Sequence, residues 1–163
     1  ADKARPDIRE IASYFKANQK EAIIYSHPEL GYFEHRCRRK YFGGINRDIL
    51  QDALILLDPD NGLEVRKSCK RHLLFSEVKH IYEQMGDAAI LMIYQHFTRE
   101  KHEEYLRRRA SELCEKTGGN PMYISDNQVI FFLVTRDRGQ EVQLANAIRD
   151  YGNTYKKLVV RCG

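Results

Sequence analysis

The chain has no tryptophan, four prolines and four cysteines among 163 residues, and each scarcity excludes something. With few prolines, no low-complexity tract, 42% hydrophobic and 31% charged residues, the composition excludes disordered and collagen-like classes. No apolar run approaches the roughly 18 residues a membrane-spanning helix needs, and mean hydropathy is −0.60. Ala1-Asp2-Lys3-Ala4-Arg5-Pro6 lacks the apolar core of a secretory signal. Cys37, Cys69, Cys114 and Cys162 are widely spaced with no C-x-x-C pair, which points to free thiols and a reducing, cytoplasmic setting. G-x-G is absent as well; the paired glycines are Gly43-Gly44 and Gly118-Gly119.

What remains is the composition of one globular domain over residues 1–163. Twenty-seven basic against 23 acidic residues give a formal charge of +4, mildly basic and compatible with a nucleic-acid partner.

Along the chain, short apolar runs alternate with helical patterns. Asp7 to Gln19 carries Ile8, Ile11, Ala12, Tyr14 and Phe15 at helical spacing. Glu21 to His27 reads as a strand closed by Pro28, and Gly31 to Phe42 as a helix ended by Gly43-Gly44. Leu54 to Leu57 lies in a continuous apolar run, which predicts a strand buried on both faces. Ser76 to Met85 reads as a helix with Ser76 as N-cap. Ala88 to Tyr94 predicts a second buried strand, and Thr98 to Thr117 a charged helix stopped by Gly118-Gly119. Met122 to Ile124 and Val129 to Val134 predict a hairpin turning at Asp126-Asn127. A helix over 141–151 and a short strand over 158–160 complete the pattern. This order predicts an α/β fold whose first three strands are parallel and whose hairpin adds an antiparallel edge.

Open parallel sheets bind ligands outside the carboxyl ends of their strands. Three such ends are Tyr25-Ser26-His27, Asp58-Pro59-Asp60-Asn61-Gly62 and Tyr94-Gln95-His96-Phe97. Together they bring carboxylates, amides, imidazoles and flat rings to one edge. The competing reading is structural: every residue of Asp58 to Gly62 is a turn former, His96 can be a hydrogen-bonded structural histidine, and the restricted backbone before Pro28 can account for His27.

Around Leu54 to Leu57 and its tail, the chain resembles the Rossmann-fold S-adenosylmethionine-dependent methyltransferases that act on amino groups of nucleic acid. That family carries a D/N-P-P-Y/F tetrapeptide after its fourth strand; here it is Asp58-Pro59-Asp60-Asn61, matching at the first two positions. The stretch Leu56 to Val65, with Ile93 to Phe97, looks like a group of bacterial proteins bearing a D-P-D-N-G-L motif. The resemblance implies a Rossmann-like three-layer sandwich, mainly parallel with a C-terminal antiparallel hairpin. It covers the C-terminal two thirds of such a fold and lacks its first strands and glycine-rich cofactor loop. It implies that Asp58 holds the target amine, with Asp60, Asn61 and His96 beside it in a catalytic group. Pro59, Tyr94, Gln95 and Phe97 would bind substrate, and Ser26 and His27 would meet S-adenosylmethionine.

Three alternatives stand beside it. A cofactor-free Rossmann-like domain would serve as a binding or partner module. A metal-dependent nuclease would use Asp60 and Glu64 as paired carboxylates on Mg²⁺, with Arg66 standing where that motif carries its lysine. A zinc site would draw on His35, Cys37, Cys69 and His72. Basic stretches at 36–40, 66–71 and 107–109 offer phosphate contacts, although the third lies among Glu103, Glu104 and Glu112 and reads as a solvated helix face. A truncated sheet would leave an open edge, so self-association is a further expectation.

Overall fold

The computed structural model describes residues 9–126, 128–155 and 157–161. They form two compact units that divide between Ile45 and Asn46, each described here by itself. Ile8, Asn127 and Cys162, which enter the sequence expectations, lie outside the described residues.

The N-terminal unit contains helix α1 (Arg9–Ala17), a 3₁₀ turn at His35–Cys37 and helix α2 (Arg38–Gly43). The helix expected over 31–42 is therefore shorter, starting at residue 35. The strand expected at Glu21 to His27 does not form. A β-branched run becomes a strand only with a hydrogen-bonding neighbour, and here only His27 pairs, across a tight turn with Gly31. Tyr25, Phe33, Tyr41 and Phe42 hold this unit together through edge-to-face contacts at 5.2–5.9 Å between ring centroids.

The C-terminal unit contains strand β1 (Leu54–Leu57), helix α3 (Phe75–Gln84), strand β2 (Ile90–His96) and helix α4 (His102–Thr117). Strands β3 (Met122–Ser125) and β4 (Val129–Val134), helix α5 (Arg138–Thr154) and strand β5 (Val159–Arg161) follow. Leu74, not Ser76, precedes α3, and its N–H donates to the Glu77 carboxylate at 2.8 Å. Gly118 ends α4 at φ +77°, and its N–H donates to the Cys114 carbonyl.

The five strands form one open sheet in the order β1-β2-β4-β3-β5. Only β1 and β2 are parallel; the other three pairings are antiparallel, which corrects the mainly parallel sheet expected. The cause is β4. Its apolar run of six needs a neighbour on each side, so it lies between β2 and β3 in the interior of the sheet instead of at the edge. The hairpin of β3 and β4 forms as expected.

β1 is also corrected. It is an edge strand, and Leu54 and Leu56 stand 60% and 54% exposed on one face. An apolar run thus meets the sheet on one side only, where a sequence pattern suggests burial on both. The main apolar cluster of that face lies where Leu144 and Ile148 of α5 pack on Met122 and Leu133. The alternate residues Leu91, Ile93, Ile130, Phe132 and Val134 are all buried. Tyr82 of α3 donates from Oη to the Thr135 carbonyl beyond β4, and α3 and α4 pack on each other through buried apolar side chains. No helix among the described residues is long and apolar enough to cross a membrane.

Candidate functional site

The parallel register of β1 and β2 puts Leu56 beside Met92, so the chain leaves β1 at Asp58 alongside Tyr94. There it turns: the Gly62 N–H donates to the Pro59 carbonyl at 3.1 Å. The turn is fastened to the following loop, with Asn61 N–H donating to Arg71 O and Leu73 N–H to Gly62 O. Leu63 and Leu73 form a parallel bridge, and both are buried.

On the α5 side of the sheet end lies an open depression of about 500 Å³, lined by Leu56, Asp58, Pro59, Asp60, Tyr94, His96 and Phe131. Asp58 and Asp60 are exposed at its rim. Its floor is aromatic. Tyr94 meets Phe131 edge-on at 5.4 Å and His96 at 4.8 Å between ring centroids, and Tyr94 Oη lies 3.5 Å from His96 Nδ1. Five of the expected residues therefore share one surface.

The others do not. Gln95 is buried on the opposite face, as strand alternation requires. Its Oε1 accepts the Leu63 N–H at 2.7 Å and its Nε2 donates to the His96 carbonyl at 2.9 Å. Through these two bonds it ties β2 to the turn. Asn61 is outside the depression, its Nδ2 donating to Cys69 Sγ at 3.4 Å. Phe97 stacks on His102 at 3.8 Å and does not line the depression. Ser26 and His27 belong to the N-terminal unit and end no strand. His27 is buried, its Nδ1 accepting the N–H groups of Glu29 and Leu30, and its ring abuts Gly44.

Among the described residues, no group of three or more His, Cys, Asp or Glu side chains could hold a metal ion. Glu64, the second carboxylate of the nuclease alternative, accepts the Phe75 N–H through Oε2. Cys69 and His72 do meet, with Sγ 3.3 Å from Nδ1, and Cys37, Cys69 and Cys114 are free thiols.

Phe131 and Leu56 are the residues that sequence reasoning missed. Phe131 reaches the site only through the β2–β4 pairing, which sets it opposite Tyr94, and nothing local to its own run signals that. Asp126 stands at the same sheet end, its carboxyl held below the ordinary aspartate range by hydrogen bonds from the backbone N–H of Val129 and Gln128. No protein-family model, curated protein or solved structure matches the chain.

Proposed function

We propose that the depression at the end of β1 and β2 binds a planar base bearing an exocyclic amine, such as an exposed adenine or cytosine of nucleic acid. The observation that carries this reading is the shared surface of two carboxylates, Asp58 and Asp60, with the rings of Tyr94, His96 and Phe131. Carboxylates accept hydrogen bonds from an amine, and aromatic side chains provide the stacking face a base needs. The scaffold is then a reduced Rossmann-like sandwich of methyltransferase type, working without cofactor as a cytoplasmic binding module. The exposed edge of β1 offers a second copy a route to pair.

Titration calorimetry with adenosine and with purine riboside, which lacks the amine, tests the reading. Adenosine is expected to bind more tightly, and Asp58→Ala to remove the difference. Equal affinity for the two nucleosides overturns it.

Methyl transfer to that amine is the second reading, favoured by one observation. Asp58-Pro59 follows a strand that runs parallel to its neighbour, as the family resemblance implies for the amine-holding residue. Saturable binding of S-adenosylmethionine to the full chain would move the proposal from binding module to enzyme.

A further inference from the structure

The three basic stretches differ in how their charge is used. On α4, Arg107 pairs with Glu103, Arg108 with Glu100 and Glu112, and Arg109 with Glu112. In the N-terminal unit, Lys40 pairs with Glu29, and Arg38 lies over the Phe33 ring at 5.1 Å. Arg36 and Arg39 of that stretch are exposed with no acidic partner among the described residues, and the loop between the Asp58 turn and α3 shares this state while adjoining the depression. Residues 65–71 are exposed without a break. Arg66, Lys67 and Arg71 have no acidic partner among the described residues. The carboxylate nearest in sequence, Glu64, is occupied by the Phe75 N–H.

This charge is also held in place. Asn61 N–H donates to the Arg71 carbonyl, Glu64 N–H to the Leu73 carbonyl at 2.7 Å, and Leu73 N–H to the Gly62 carbonyl. Ser68 Oγ closes the loop's own bend, accepting the Val65 N–H and donating to the Val65 carbonyl, each at 2.8 Å. Asn61 Nδ2 reaches Cys69 across it. The basic loop is thus tied by its backbone to the same turn that presents Asp58 and Asp60 to the depression.

From this we infer that the 65–71 loop is a phosphate-binding strap for single-stranded nucleic acid, gripping the sugar–phosphate chain of the strand whose base enters the depression. The inference deepens the base-binding proposal and rests on it for the identity of the strand. Unpaired guanidinium and ammonium groups on an exposed loop bind phosphates by releasing counterions, and guanidinium groups match phosphate geometry with paired donors. A single strand is favoured over a duplex because a base must be free to lie against Tyr94 and Phe131.

The test is the salt dependence of binding between the full chain and a short fluorescein-labelled oligodeoxyadenylate, read by anisotropy. Wild type is compared with Arg66→Ala/Lys67→Ala/Arg71→Ala, and thermal melting confirms that the variant is folded. Single strands lose about 0.7 in the slope of log affinity against log salt for each phosphate contact removed, so the triple variant should lose about 2. Adenosine affinity should not change, since the strap touches only phosphate.

An unchanged slope with retained oligonucleotide binding overturns the strap and leaves the base pocket standing. Loss of slope in a protein that does not bind adenosine supports the strap and overturns the pocket. Equal binding of polyglutamate shows a site for acidic protein instead and overturns the inference, as does failure of wild type to bind the oligonucleotide.

Discussion

The side-chain amide of Gln95 fills the space in which a Cβ on residue 62 would stand, and Gly62 sits there at φ +75°. Both facts demand glycine, one by volume and one by backbone conformation. The same amide accepts the Leu63 N–H, so one buried side chain of β2 sets how closely the Asp58 turn approaches the sheet.

Gly62→Ala should therefore destabilise the fold by about 1–2 kcal/mol from the left-handed backbone alone, and further by displacing Gln95. Gln95→Leu strands the Leu63 N–H in a buried place and should cost about 1–3 kcal/mol. Urea unfolding measures both. A loss below about 0.5 kcal/mol in either variant would show that the turn is held by its loop bonds and not by β2.

Asp58 is exposed, and its carboxylate makes no hydrogen bond among the described residues. Asp58→Ala should leave unfolding stability within about 0.5 kcal/mol of wild type while abolishing the preference for an amine-bearing base. Melting and calorimetry on the same sample separate the two roles. A large fall in stability would reassign Asp58 to the turn.

Arg109 is 1% exposed, pairs with Glu112 and lies 5.3 Å from the Phe75 ring centroid, yet its Nε and Nη2 have no hydrogen-bond partner among the described residues. Burying a charge with two donors unmet is costly. Arg109→Met should match or exceed wild-type stability, whereas Glu112→Ala, which removes the counter-charge, should lose about 1–3 kcal/mol. Comparison of denaturant midpoints decides it; a strongly destabilised Arg109→Met would mean the guanidinium is satisfied in solution.

Asp126 gives the hairpin a pH dependence of known sign. Its carboxyl is held below the ordinary value of about 3.9 by the Val129 and Gln128 N–H groups. The stability it contributes is full above that ordinary value and is lost as pH falls through the lower folded one. In acid titrations followed by circular dichroism, wild type should lose more stability than Asp126→Asn over that range. Parallel curves would place the acid sensitivity elsewhere.

Much of this was legible without coordinates. The apolar runs at Leu54 and Ile90, the charged helix ending at Gly118 and the hairpin at Met122 to Val134 each follow from period, turn residues and caps. The sequence also marks Asp58, Pro59, Asp60, Tyr94 and His96 as candidates, and all five line one depression. The failures share a cause. Glu21 to His27 has the composition of a strand and no partner to pair with. Gln95 and His96 are neighbours of similar polarity, and only the pleat separates the buried clamp from the exposed ring. Arg109 sits in a triplet with Arg107 and Arg108, yet the helical rotation between them turns one guanidinium inward.

What the sequence by itself determined is local: which segments are helix or strand, where turns fall and which side chains can accept an amine or stack on a base. These depend on neighbours within a few residues, where propensity and periodicity act. Tertiary structure decided the strand order, because insertion of β4 beside β2 depends on pairings between distant segments that no local pattern encodes. That insertion sets Phe131 opposite Tyr94 and leaves β1 at the edge. Chemistry at the sheet end was written in the chain; the surface that gathers it exists only once those distant strands have paired.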